Sequence, residues 1–339
     1  MQLPEAKNIL VIKLRGIGDV LLSVPAMRAV RKAYPDARLS FMTEQNGGEL
    51  LRGQPMLDEI IVLDRSSGWL EYLRFVREIR KRKFDMVIDL FGNPRTAVLT
   101  FMTGARTRVG LTWRLRRHAY NIACEGPAQV CYAVEANFHV IRQIGIQALD
   151  RTFRLFLGEH DRQPAAEFLK SINAGNKRIV GLNPGGSWQT KQWQAEKFAE
   201  LAEHLASEYT VLLLGGPAEQ KIVEEILKQV RKKVYAVPVM GLRPTAALIE
   251  NLDLLITVDG ALKHIAVAAE IPSITLFGPT NPVAWHPQEN PKHRAIFNRD
   301  LKCRPCDRRT CAGNECLRSI TVENVIDAVR EMKNAGIIR

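Results

Sequence analysis

Long apolar runs are missing from this 339-residue chain; none approaches the roughly 20 residues that a membrane-spanning helix needs. The opening MQLPEAKNILVIKLRG runs straight into a strand-like segment, without the basic-then-apolar layout of a secretory leader, so the expectation is a cytoplasmic protein. No short repeat, low-complexity tract or nucleic-acid-binding motif is visible. Neither standard phosphate loop is complete. Gly16-Ile17-Gly18-Asp19 does not continue into G-x-G-x-x-G, which disfavours a nicotinamide enzyme, and Asn183-Pro184-Gly185-Gly186-Ser187 lacks the G-x-x-x-x-G-K-[ST] spacing.

Cysteine is sparse except in one place. Cys124 and Cys131 stand alone and read as packing residues, whereas Cys303, Cys306, Cys311 and Cys316 fall within CRPCDRRTCAGNEC. A cytoplasmic setting argues against a disulfide framework. Four thiolates suit tetrahedral zinc, but the spacing is not that of paired knuckles, so reduced thiols in a tight surface lobe are preferred and a metal is the alternative.

Acidic residues are outnumbered 36 to 48 by Lys and Arg, for a net charge of +12, in a composition typical of soluble globular proteins. The basic residues cluster at 74–83 and 106–118. The first cluster reads as the solvated face of a helix, because Leu70, Leu73, Val76 and Ile79 keep helical spacing. The second is interrupted by apolar residues and reads as a basic surface for an anionic lipid or phosphorylated partner rather than nucleic acid.

The chain length suits two domains of ordinary size. Strand-like runs at 9–14, 38–42, 59–63 and 86–90 alternate with helical segments, and a second series follows at 178–182, 210–214, 254–258 and 274–277. Such alternation predicts α/β doubly wound sheets, here two Rossmann-like domains facing a central cleft. Domain boundaries are expected at 1–160 and 175–320, with 148–177 as connector. Residues 321–339 are expected to form a helix packing back toward the first domain.

Residues 253–287, DLLITVDGALKHIAVAAEIPSITLFGPTNPVAWHP, organise the second series. Strand, Gly turn, helix and strand make one βαβ unit, in which the helix N-terminus faces the carboxyl edge of the sheet and favours an anion. Asp259 ends the strand, and Lys263 and His264 lie in the first helical turn. An ordinary α/β connection with Asp259 as a cap is the plainer reading. Asp19, after the first strand, is placed to act as a general base toward a hydroxyl, or simply to cap the next helix. Ser187 and Lys191 make a phosphate seat beside Gly186, and Glu219 stands where an acid binds ribose hydroxyls.

In order, ILVIKLRGIGDVLLSVP, NPGGSWQTKQW, LLLGGPAEQ, LITVDGALKHIAVAAEIPSITLFGPTNP and the cysteine-rich tail resemble glycosyltransferase family 9, the ADP-heptose:lipopolysaccharide heptosyltransferases. The resemblance covers nearly the whole chain. It implies a GT-B fold and inverting transfer of a sugar from an ADP-sugar co-substrate to an anionic lipid-linked saccharide, with peripheral contact at the inner membrane and no cofactor or metal. Asp19 matches the family's base, with Arg15 and Gly18 on the acceptor side. Lys191, with Ser187 and Gly186 beside it, matches the diphosphate lysine, Glu219 the acid at the nucleotide, and Met240 the adenine pocket. Asp259 and His264 match the ends of Asp-[Ser/Thr]-Gly-x-x-His, and the amides of Gly260, Ala261 and Leu262 would meet the pyrophosphate. The chain departs from that motif: Gly260 replaces the hydroxyl residue, Ala261 the glycine, and Lys263 offers a compensating cation. Another nucleotide sugar or acceptor, an epimerase, and a non-catalytic sugar-nucleotide or lipid-binding relative with a structural Asp19 are the competing readings.

Overall fold

The structure, a computed structural model, describes residues 3–64, 66, 68–112, 114–173 and 177–338. Trp113 of the basic stretch and most of the polar turn expected before Arg178 lie outside the described residues. The chain divides into two compact units, Met1–Phe156 and Leu157–Arg339.

The first unit carries β1 (Asn8–Ile12), β2 (Arg38–Thr43), β3 (Glu59–Val62), β4 (Met86–Asp89), β5 (Thr107–Leu111) and β6 (Ile122–Cys124). They form one sheet in the order β3-β2-β1-β4-β5-β6, with every neighbouring pair parallel. The second carries β7 (Ile179–Asn183), β8 (Thr210–Leu213), β9 (Val234–Ala236), β10 (Leu254–Val258), β11 (Ser273–Leu276) and β12 (His293–Ile296), ordered β12-β11-β10-β7-β8-β9 and again all parallel. Counted within its own unit, each sheet has the order 3-2-1-4-5-6 of a doubly wound fold. Helices cover both faces of such a sheet, so its inner strands are apolar throughout. All five residues of β10, LLITV, are buried.

Direction of winding reverses between β1 and β4 and between β7 and β10. Ligands of open parallel sheets bind beyond the carboxyl ends of the strands at these reversals. The registers place Ile12 opposite Asp89 in the first sheet and Thr257 opposite Asn183 in the second. Thr257 donates to Asn183 Oδ1 at 3.0 Å, and Asn183 Nδ2 donates to the Leu214 carbonyl at 2.9 Å. Those bonds align three adjacent strand ends.

Several expected boundaries shift. The first helix breaks into Ile17–Leu21 and Val24–Ala33, separated by a turn ahead of Pro25. The helix expected in the connector near Ala165–Ile172 spans Glu159–Ser171, starting ahead of Pro164 because Asp161 caps the Gly158 amide at 2.8 Å. Asp161 also pairs with Arg243 at 2.6 Å, fastening this helix within the second unit. The terminal helix, Val322–Asn334, buries its apolar face, with Val325, Val329 and Met332, in the second unit's core alongside Trp193 and Phe198. Each such side chain contributes about 1.5–3 kcal/mol by leaving water.

Candidate active site

In the first unit the chain leaves β1 and turns through two residues of positive φ, Arg15 at 60° and Gly16 at 62°. A Cβ on Gly16 would lie 2.5 Å from Asp19 Oδ2, so only glycine suits both the backbone and the contact. Gly16, not Asp19, holds the N-cap position, and Asp19 lies within the first turn of Ile17–Leu21 with its carboxylate back over Gly16. Its side chain is 30% exposed, and Lys13 Nζ stands 3.8 Å away. Arg15 is exposed and Gly18 half-buried on the same turn.

Lys13 escaped sequence reasoning because it reads as the continuation of a buried strand. Its ammonium donates to the Leu90 carbonyl at 2.9 Å and approaches Asn137 Oδ1 at 3.4 Å. Burial pulls its pKa below the ordinary value, and Asp19 and Asp89 offset part of that pull. Asp89 is itself buried, accepting from Phe91 N, Gly92 N and the Tyr120 hydroxyl. Burial raises its carboxyl above the ordinary value against those bonds. A cation, two carboxylates and a phenol therefore meet at the first reversal point.

At the second reversal point the carboxyl ends of β7, β8 and β10 gather the expected donor residues. The turn after β7 is closely approached on both sides. A Cβ on Gly185 would lie 2.3 Å from Glu219 Cγ, and one on Gly186 would lie 2.9 Å from the Lys191 carbonyl. Gly260 follows β10 with Gly185 O as a near neighbour, 3.7 Å from where its Cβ would stand. Lys191, Glu219, Asp259 and Gly260 thus border one small region, with Ser187 exposed on the turn. Met240 is half-buried on the loop from β9 to helix Leu242–Ile249.

Asp259 is the hub. Its Oδ2 accepts from Lys191 Nζ at 2.8 Å and from Thr280 Oγ1 at 2.7 Å, while Oδ1 accepts from Lys263 Nζ at 2.5 Å. Burial pushes its carboxyl up, but Lys263 and Lys191 more than reverse this and hold it well below the usual carboxylate range. Helix Ala261–Ala268 starts immediately beyond, so the amides of Ala261 and Leu262 have no carbonyl within the helix to bond. His264 is buried and neutral: burial, then the Lys263 charge, drive its pKa well below the ordinary value.

Lys263 differs from the expectation. Its side chain is 0% exposed, and Nζ also donates to the Trp285 carbonyl at 2.9 Å above the Phe277 ring. Its charge is enclosed by Asp259, the Trp285 carbonyl and the Phe277 ring. Lys191 is the lysine that reaches the surface, 13% exposed and 4.5 Å from the Trp188 ring.

The cysteine-rich lobe braces this region. Arg304 donates to the carbonyls of Gly278, Asn298 and Thr280, Cys306 N donates to Pro279 O, and Thr190 Oγ1 donates to Arg308 O. These bonds fix the segments that carry Thr280 and Lys191. Cys303, Cys306 and Cys311 are exposed thiols and Cys316 is buried. Among the described residues no group of three or more His, Cys, Asp or Glu is placed to hold a metal ion.

Two doubly wound units of this kind make a fold of the GT-B type. The sequence profile of glycosyltransferase family 9 (heptosyltransferase) matches residues 72–316, well over half of the chain, and the chain belongs to that family. It is 27% identical over 325 residues to lipopolysaccharide heptosyltransferase 1 of Pseudomonas aeruginosa, covering 90% of this chain and 87% of that protein. Lipopolysaccharide heptosyltransferase 3 of Escherichia coli is 25% identical over 80% of this chain and 84% of its own length. Among solved structures, the family 9 glycosyl transferase of Veillonella parvula superposes with a TM-score of 0.84 at 26% identity, covering 96% of this chain and 97% of that one. E. coli heptosyltransferase WaaC, solved with ADP-2-deoxy-2-fluoro heptose, gives 0.71 at 22% identity over 96% of this chain and 99% of that one, a likeness of fold.

Proposed function

We propose that this glycosyltransferase moves heptose from ADP-heptose to a hydroxyl of the lipopolysaccharide inner core, with inversion. The observation that carries the donor half is the meeting of Lys191, Asp259 and the start of helix Ala261–Ala268 at the reversal point of the second sheet. Lys191 and the amides of Gly260, Ala261 and Leu262 would take the diphosphate, beside Ser187 and Gly186. Glu219 would take the ribose hydroxyls and Met240 would flank the adenine. The names of the P. aeruginosa and E. coli relatives, and the ADP-sugar analogue in the WaaC structure, support heptose and adenine.

In the reaction Asp19 accepts the proton of the acceptor hydroxyl as its oxygen attacks the anomeric carbon. The bond from that carbon to the diphosphate oxygen breaks, and ADP leaves with the electron pair. Lys191 and the helix amides stabilise the charge that grows on the leaving oxygen, which is the term that matters most in such transfers. Arg15 and Gly18 line the acceptor side. The scheme uses lysine and backbone charge where other transferases use a metal.

The acceptor would be an anionic lipid-linked saccharide reached by peripheral contact with a membrane. The net charge of +12 supports this, as does helix Trp69–Lys81, where Trp69 and Leu70 are 72% and 55% exposed ahead of Arg74 and Arg77. Among the described residues no helix is long and apolar enough to cross a membrane.

Calorimetric titration with ADP, UDP and GDP tests the donor assignment. Selective ADP binding that is lost in Lys191→Ala supports it. Preference for UDP or GDP, or no nucleotide binding, overturns it.

A further inference from the structure

We propose that Lys263 is a positioning residue: it neutralises Asp259 from the interior so that Lys191 is free to leave that carboxylate for the donor diphosphate. The inference rests on the donor reading above and assigns Lys263 a task other than touching the ligand.

Two lysines share one carboxylate that is 3% exposed, and they are not equivalent. Lys191 reaches Asp259 from the 3-10 turn Gln189–Lys191 and retains some contact with solvent. Lys263 reaches it from position i+4 on helix Ala261–Ala268 and retains none. Every partner of the Lys263 nitrogen suits an ammonium. Asp259 Oδ1 and the Trp285 carbonyl are both acceptors, and the Phe277 ring face, 4.7 Å from Nζ, attracts a cation and would repel a lone pair.

With Lys191 alone, ligand binding would have to strip a buried carboxylate of its only cation, a strongly unfavourable step. With Lys263 in place, Asp259 keeps one ammonium and the Thr280 hydroxyl when Lys191 departs. Around Asp259 two lysines face one carboxylate, with the Glu219 carboxylate bordering the same region; burial lowers the Lys263 pKa, and Asp259 opposes that pull. When Lys191 leaves Asp259, its charge is available to an arriving anion beside the start of helix Ala261–Ala268.

The groups facing this cluster are fixed by the surrounding elements. Thr280 comes from the loop after β11, and Trp285 and Phe277 flank Lys263. His264 and His286 are neutral neighbours, both lowered chiefly by burial.

The test is a variant cycle read by calorimetry with ADP and, separately, inorganic pyrophosphate. In Lys263→Met, Asp259 must hold Lys191, and affinity should fall about tenfold or more. In Asp259→Asn/Lys263→Met the amide no longer competes for Lys191, and affinity should return to within about threefold of wild type. An unchanged affinity in Lys263→Met overturns the proposal. So does a double variant as weak as the single one, the pattern of a merely structural lysine or one that touches phosphate. If Lys263→Met does not fold, the double variant still decides against wild type by the same threefold criterion, and adding Lys191→Met to it should abolish the recovered affinity. A wild type that binds pyrophosphate but not ADP refutes the ADP-sugar reading and leaves this cycle intact.

Discussion

The ammonium of Lys13 lies 3.8 Å from the Asp19 carboxylate while donating to the Leu90 carbonyl at the end of the neighbouring strand. Lys13 thereby ties the candidate base to the rigid edge of the first sheet. Placing a base within a few tenths of an ångström matters, because misplacement alone is worth orders of magnitude in rate. Replacing Lys13 with Met should lower kcat by about ten- to a hundredfold. The Kd for ADP should stay near its wild-type value, since the donor residues belong to the other unit. Equal losses in kcat and ADP affinity would show general unfolding instead.

Asp19→Asn keeps the shape of the side chain and removes its basicity. Turnover should drop by about 10²- to 10⁴-fold, the usual worth of a positioned general base. ADP binding, followed by calorimetry on the same preparation, should persist. A non-catalytic Asp19 predicts no change in either quantity.

The turn at Gly16 offers a harsher version of the same experiment. Alanine there must adopt a φ of 62° and bring its Cβ to 2.5 Å from Asp19 Oδ2. Displacement of Asp19 should cost activity on the scale of Asp19→Asn, together with about 1–2 kcal/mol of stability from the left-handed backbone. Full activity in Gly16→Ala would mean that the carboxylate need not sit over that turn.

Acid should weaken the second unit through buried histidines. His286 is lowered to about 4, by burial and then by Lys263, and His293 to about 3, by burial and then by His286. A folded pKa below the unfolded value means that the unfolded chain binds protons first. The stability associated with these neutral rings is therefore complete above about pH 6.5 and declines as pH falls toward the folded values. By pH 4.5 the loss should be on the order of 2 kcal/mol per ring. Asp259 adds little to the slope in that window, because an unfolded aspartate titrates only near about 3.9 and the folded carboxyl is held lower still; its own contribution is lost below that pH. His293→Gln can still bond Ser273, the present partner of His293 Nδ1 at 2.9 Å. Melting curves from pH 7.5 to 4.5 should be flatter for this variant than for wild type, and a parallel pair would exclude His293 as a contributor.

What could be read from the sequence depended on how local its signal was. The strand 254–258 was exact because five buried apolar residues end at an Asp-Gly turn. β5 was hidden inside a basic stretch that reads as surface, β6 and β9 have three residues each, and β12 is an edge strand with a mixed HRAI pattern. Edge strands bury little, so periodicity says little about them. At the site, Asp259 and Lys191 were legible because strand ends and glycine turns mark them. The inward course of Lys263 was not, since position i+4 from Asp259 fixes its neighbour but not whether its charge serves ligand or core. Thr280 and Arg304 were missed because the bonds that tie them to Asp259, Gly278 and Thr280 span 21 to 26 residues and follow no spacing rule.

The most direct measurement incubates the protein with ADP-heptose and a heptose-deficient lipid-linked core and weighs the products. The account predicts release of ADP and a gain of one heptose residue by the core with wild type, and both slowed by about 10²- to 10⁴-fold with Asp19→Asn, which still binds ADP. Transfer from a different nucleotide sugar but not from ADP-heptose, or wild-type transfer by Asp19→Asn, would contradict it.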